Sequence, residues 1–162
     1  MKVLFATSEA APFIKTGGLG DVCGALPKAL AEEGVDARVI LPLYTCIDHT
    51  LKTQMKFLGS FDVSISWRKT YCGVFTATVG KVIYYFIDNE QYYSRPNVYG
   101  EYDDSERFAF FSKAVLDMLN MVDFFPNIIH INDWQTSLLP VYLNAFYRSD
   151  SRYASIKTVL SI

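Results

Sequence analysis

Apolar residues in this chain come in short unbroken runs near the amino terminus, in alternation through the middle, and in helical stripes elsewhere. Val3–Thr7 is a run closed by Ser8, the pattern of a strand buried on both faces. Residues 9–20 lack periodicity and carry Pro12, Gly17, Gly18 and Gly20, which predicts a loop. From Gly20 to Glu33 apolar side chains recur at Val22, Ala25, Leu26, Ala29 and Leu30, a helical stripe stopped by Gly34. Pro27 falls inside it and predicts a kink or a late regular start. Ala37–Leu41 is a second buried run, ended by Pro42. Strand, glycine loop, helix, strand is one βαβ unit, expected to be right-handed.

The middle reads differently. Phe57–Trp67, Tyr71–Val79 and Lys81–Ile87 are β-rich, and Phe61, Val63, Ile65 and Trp67 alternate with polar neighbours. The tight break at Val79-Gly80-Lys81 predicts at least one antiparallel pair. Asp88–Asp104 reads as a polar, aromatic loop. Ser105–Val122 reads as an amphipathic helix with Phe108, Phe111, Val115, Met118 and Val122 on one face, and Asp103, Asp104 and Ser105 as caps. Asn127–Ile131 is a further strand, Trp134–Arg148 a helix, and Lys157–Ile162 a last strand. The fold class is therefore α/β: a Rossmann-like parallel sheet flanked by helices, with a β-rich antiparallel insertion, forming one domain over residues 1–162. Because Glu9–Gly20, Asp88–Pro96 and Asn132–Gln135 each follow a strand, their polar residues are expected to meet at the carboxyl edge of the sheet.

Composition narrows the function. A chain of 162 residues that is 51% hydrophobic can bury a core without a disulfide or metal staple. Net charge is −2 and no Lys/Arg run occurs, which argues against nucleic-acid and anionic-membrane partners. The three cysteines, Cys23, Cys46 and Cys72, are scattered and form no CxxC, and the two histidines leave no His-rich metal site. No apolar run approaches the ~20 residues of a membrane span, and the apolar start is too short for a signal peptide. The expectation is a reduced, cytoplasmic domain with no metal.

The richest segment for chemistry is Lys15-Thr16-Gly17-Gly18-Leu19-Gly20-Asp21-Val22. Glycines between a strand and a helix let the backbone approach a ligand, and the helix start favours a phosphate. Lys15 adds a flexible positive charge on the same side. A helix-entry loop with a solvated lysine would show the same pattern. A Walker loop is excluded, since no GxxxxGK[ST] string occurs; a dinucleotide fingerprint is weak, since Cys23 stands where its third glycine belongs. The second constellation is His130-Ile131-Asn132-Asp133-Trp134-Gln135. Asp133 suits sugar hydroxyls and Trp134 a stacking surface, but Asp133 is equally an N-cap and His130 a core histidine. The third, Asp88 to Pro96 with Tyr92, Tyr93 and Arg95, suits carbohydrate recognition or plain solvation.

Taken together and in this order, these segments resemble the amino-terminal half of bacterial glycogen synthases and plant starch synthases. Those enzymes are retaining two-domain glucosyltransferases of GT-B architecture. The resemblance runs through Ser8-Glu9 with Pro12, Lys15–Val22, Leu26-Pro27, Gly34-Val35, Arg38-Val39 with Leu41-Pro42, Tyr93 with Arg95-Pro96, Arg107-Phe108, and Asp133-Trp134 with Leu139. It implies that Lys15, Gly17 and Gly18 contact the donor diphosphate. It further implies that Tyr93 binds substrate and that Asp21 and Asp133 are the catalytic candidates around the donor glucose. ADP-glucose would be the donor substrate with no separate cofactor, and glycogen or another α-1,4-glucan the acceptor. This chain departs from the family's usual pattern at Gly20, where many members have Ala, and at Gln135-Thr136. It also stops before the family's next motif, a His-Asn pair. The expectation is an amino-terminal domain whose carboxyl-terminal partner half is missing, inactive alone. The alternatives are a glucan-binding module without turnover, or half of a UDP-glucose transferase.

Overall fold

In the computed structural model, which describes residues 1–162, the amino-terminal run forms β1 (Lys2–Ala6), with Leu4, Phe5 and Ala6 fully enclosed. After it come α1 (Gly18–Glu32), β2 (Asp36–Pro42), a short α2 (His49–Lys52), β3 (Lys56–Ile65), β4 (Arg68–Val79) and β5 (Val82–Asp88). A short α3 (Glu90–Tyr93), the long α4 (Asp104–Met121) and β6 (Ile128–Asn132) follow. The chain closes with α5 (Leu139–Tyr142), α6 (Ser151–Ala154) and β7 (Lys157–Ser161). The strands make one seven-stranded sheet in the order β3-β4-β5-β2-β1-β6-β7.

The three buried runs read from the sequence are neighbours: β2, β1 and β6 lie side by side and parallel, with Phe5 opposite Val39 on one side and His130 on the other. β7 continues the parallel set beyond β6. The β-rich middle extends this same sheet. β3 and β4 pair antiparallel, as do β4 and β5, and β5 runs parallel to β2. Val82–Asp88 is almost wholly buried, which is why it reads as a run and joins the parallel core. The turn Gly80-Lys81 joins Val79 to its partner Val82, and Gly80 takes the positive φ of 61° that such a turn demands.

Two helical readings need correction. The segment Trp134–Arg148 is not one helix. A 3-10 turn (Trp134–Thr136) comes first, then α5, then a π-helical turn (Leu143–Tyr147). Pro140 cannot donate an amide in a continuous helix but is suited to a first turn, so a new helix begins around it. In α1 the late start does not occur: the helix begins at Gly18 and continues through Pro27. α4 is buried on more than the predicted stripe, because Phe110, Leu116 and Leu119 are enclosed along with Phe108, Phe111, Val115 and Met118. No helix is long and apolar enough to cross a membrane.

α1 lies close on the preceding loop. A Cβ on Gly24 would sit 2.8 Å from the Ala11 carbonyl oxygen, and the Ala11 amide donates to Gly20 O at 2.9 Å. Gly24→Ala is therefore expected to cost about 1–3 kcal/mol, since backbone rather than a flexible side chain must give way. Gly18→Ala, with nothing within 4 Å of its added carbon, should leave the thermal midpoint unchanged or raised. Equal midpoints for the two variants would contradict this packing.

Candidate functional site

The parallel strands β1, β2, β5 and β6 all end at the same edge of the sheet, so the segments that leave them converge there. From β1 the chain continues as Thr7, Ser8 and Glu9, all buried. Thr7 Oγ1 donates to the Glu9 carbonyl at 2.8 Å, which turns the Glu9 side chain toward the glycine loop. Its Oε2 accepts the backbone amides of Thr16 and, at 3.3 Å, Gly17; its Oε1 accepts Thr16 Oγ1 at 2.8 Å. A carboxylate thus holds the loop from behind.

In front of it the residues singled out by sequence come together. Lys15 Nζ is 2.7 Å from Asp21 Oδ1, and both side chains are more than half exposed, at 51% and 60%. An ion pair so wetted adds little stability and exchanges partners readily. Gly17 is the N-cap of α1 and no side chain caps the helix start. Nothing lies within 4 Å of a Cβ built on Gly17 or Gly18, so this surface is open, whereas Gly20 is packed on Lys15. The expectation for the glycines is refined in one respect. The Gly17 amide is turned inward to Glu9, so the outward donors belong to Gly18 and the first turn of α1. A helix start with uncapped amides, beside a lysine, is electrostatically suited to an anion.

At the end of β6, Asn132 Nδ2 donates to Ala6 O at 3.1 Å and ties β6 to β1 beyond their ladder. Asp133 follows with φ 62° and ψ −177°, a region that only glycine enters freely. Its amide donates to Ser161 O at 2.8 Å, and its Oδ1 accepts the Trp134 amide at 2.7 Å. The capping role foreseen for Asp133 is therefore present, but only for a three-residue turn. Such a conformation costs about 1–3 kcal/mol in a non-glycine residue and makes Asp133 a candidate for a role at this edge. Trp134 is half exposed and stands edge-on to Phe108, ring centroids 5.2 Å apart.

His130 is a structural group. Its ring packs on Phe5 at 4.9 Å and Nε2 bonds Ser161 Oγ at 2.7 Å, and burial lowers its pKa below the usual 6.5. The unfolded chain then binds more protons than the folded one between the two values. Its stabilising share is thus complete above about 6.5 and lost as pH falls through the window beneath. Denaturant melts from pH 7.5 to 5 should show wild type losing stability relative to His130→Phe. Parallel curves would refute the assignment.

Tyr93 requires a correction. It is 1% exposed, its hydroxyl donates to the Arg107 carbonyl at 3.2 Å, and its ring packs against Tyr44 and Phe110. A side chain enclosed on every side cannot face a substrate beside Lys15. The short helix α3, capped by Asn89, turns it into the core. Tyr99, from the same loop, stands at the site instead: its hydroxyl donates to Glu9 Oε1 at 2.6 Å and lies 2.7 Å from Ser8 Oγ. Burial, then the bond to Glu9, with the charge of Asp133 adding to both, raises its pKa and keeps it protonated. Glu9, Tyr99 and Phe108 were not legible as site residues. Glu9 and Phe108 fall within the segments that carry the resemblance, but neither their pattern nor that of Tyr99 marks a role at the site. Asp103 and Asp104, acidic enough to suggest a metal, are spoken for by Arg95 at 2.9 Å and Arg107 at 2.7 Å.

Known proteins match this arrangement over nearly the whole chain. A family model described as "Starch synthase catalytic domain" matches residues 2–162. A glycogen synthase of Clostridium botulinum (strain Alaska E43 / Type E3) is 56% identical over all of this chain and 34% of its own length. One of Clostridium perfringens (strain 13 / Type A) is equally similar with the same coverage. One of Lactobacillus acidophilus is 48% identical, again over the full chain. This chain therefore spans about a third of the length of the curated relatives it matches. Among solved structures, the catalytic domain of starch synthase IV from Arabidopsis thaliana bound to ADP and acarbose superposes with a TM-score of 0.87. It is 30% identical, over 98% of this chain and 33% of that one.

Proposed function

The chain belongs to the starch synthase catalytic-domain family, and on that premise we propose that it forms the amino-terminal, donor-facing half of a retaining glucosyltransferase. The reaction proposed is transfer of glucose from ADP-glucose to the non-reducing end of an α-1,4-glucan. The observation that carries the reading is the shared edge: an open glycine loop with Lys15 at the start of α1, and Asp133 in a strained conformation at the end of the neighbouring parallel strand. Related glycogen synthases and the ADP- and acarbose-bound plant structure support this chemistry.

Lys15 and the α1 amides from Gly18 onward offset negative charge on the departing diphosphate, a stabilisation that grows as the bond to the sugar breaks. Asp21 exchanges its Lys15 partner for the donor, and Asp133 orients the glucosyl ring from the other side. Holding that ring within ~1 Å of its reactive position is worth about a hundredfold in rate. A single face of a cleft does not exclude water, so these 162 residues alone are expected to give no turnover.

The test is a chimera of residues 1–162 followed by the remaining two thirds of the Clostridium perfringens glycogen synthase, assayed for labelled glucose passing into glycogen. ADP-glucose should outperform UDP-glucose, and the isolated chain should transfer neither. Lys15→Ala should lower kcat/KM by about tenfold or more, while Lys56→Ala, at the start of β3, should not. An inert but folded chimera, beside an active parent enzyme, would sink the reading. Glycogen co-sedimentation without transfer would then favour a glucan-binding module.

A further inference from the structure

The glycine loop and the Asp133–Trp134 strand end belong to strands at opposite ends of the sequence, and both must hold one shape if they are to share a ligand. We propose that Tyr99 is the positioning residue that locks the two together. Its hydroxyl fixes the carboxylate behind the glycine loop, while its ring continues through Phe108 to the back of Trp134.

The hydrogen-bonded half starts from Glu9. That side chain is 2% exposed, and its partners are the Thr16 amide and hydroxyl, the Gly17 amide and the Tyr99 hydroxyl, all of them neutral. A buried carboxylate without a cation depends on every donor it has, so loss of one weakens its hold on the loop. Ser8 Oγ, 2.7 Å away, holds the Tyr99 hydroxyl in turn. The aromatic half runs from the Tyr99 ring to Phe108, centroids 6.1 Å apart, and from Phe108 to Trp134 at 5.2 Å and 82°. Phe108 itself is fixed in α4 and buried.

Charge shows that this arrangement serves geometry. A carboxylate directly behind a loop that receives an anion repels that anion. Glu9 therefore works against affinity and is useful only for the shape it imposes on Thr16 and Gly17. This last step rests on the diphosphate reading of the loop; the lock itself rests on contacts alone.

The experiment uses the 162-residue chain, with pyrophosphate as the probe. In Tyr99→Phe, which keeps the ring, amide hydrogen exchange at Thr16 and Gly17 should rise about tenfold relative to the amides of β1. The Trp134 indole resonance should shift in the same variant, and pyrophosphate affinity should fall several-fold. Glu9→Gln keeps an acceptor for the loop amides but removes the charge. It should preserve protection at Thr16 and Gly17 and tighten pyrophosphate binding. Unchanged exchange in Tyr99→Phe, or a rise matched throughout β1, overturns the lock. A wild-type chain that ignores pyrophosphate overturns the diphosphate reading instead, and the exchange data still decide the role of Tyr99.

Discussion

Replacing Asp133 with glycine is expected to cut glucosyl transfer by the chimeric enzyme about a hundredfold or more, while leaving the fold at least as stable as Asp133→Ala leaves it. The two effects come from different parts of the same residue. The carboxylate is what the proposed reaction would use; the backbone at φ 62° and ψ −177° is what the fold must tolerate. Both variants lose the bond to the Trp134 amide, but glycine enters that region without steric cost whereas alanine keeps the strain. Glycine should therefore exceed alanine by about 1–3 kcal/mol in denaturant melts, the usual cost of such a conformation. Activity should not separate them. A glycine variant that retained transfer would remove Asp133 from the chemistry, and one less stable than alanine would remove the strain.

Loss of Arg107 should be the most damaging change to the fold. Its side chain is fully buried on α4, where Nη1 meets Asp104 Oδ1 at 2.7 Å and Nε donates to Tyr92 O at 2.8 Å. Nη1 also reaches Val98 O at 3.4 Å. The one side chain thus secures both ends of the segment between α3 and Tyr99. Arg107→Ala leaves two carbonyls without this donor and the Asp104 carboxylate with only the Gly100 amide, which should cost about 3–5 kcal/mol and lower Tm by about 10 °C. Asp104→Asn keeps an oxygen facing the guanidinium and should cost far less. A loss below about 1 kcal/mol for Arg107→Ala would mean that water replaces the guanidinium without penalty.

The parallel core was legible because strands covered on both faces must be largely apolar, and Val3–Thr7 and Ala37–Leu41 are, with Arg38 the one charged residue in them. Lys15 to Asp21 was legible for the opposite reason: glycines placed between a strand and a helix have few purposes. Tyr93 misled because a loop rich in tyrosine gives no period from which to tell the inward ring from the outward one. Which tyrosine turns in depends on α3 and on the Arg107 carbonyl, a partner from another element. Glu9 was opaque for a similar reason. A polar residue after a strand looks the same whether it meets water or, as here, a hydroxyl from Tyr99. The break at Pro140 was hidden because apolar side chains continue on both sides of it, and periodicity records faces rather than amide donors.

The placement of β1 between β2 and β6 also bears on how the molecule is made. During synthesis β1 emerges before β2 and finds it within the same βαβ unit. Its other neighbour, β6, emerges much later, and the bond from the Lys2 amide to Asn127 Oδ1, 2.7 Å, joins residues 125 positions apart. Until then one side of the buried strand β1 is an open ladder, the state in which nascent chains are most exposed to aggregation. Pairings this distant make for slow folding. The edge that carries Lys15 and Asp133, built from β1 and β6, therefore comes into existence only once that distant pairing has formed.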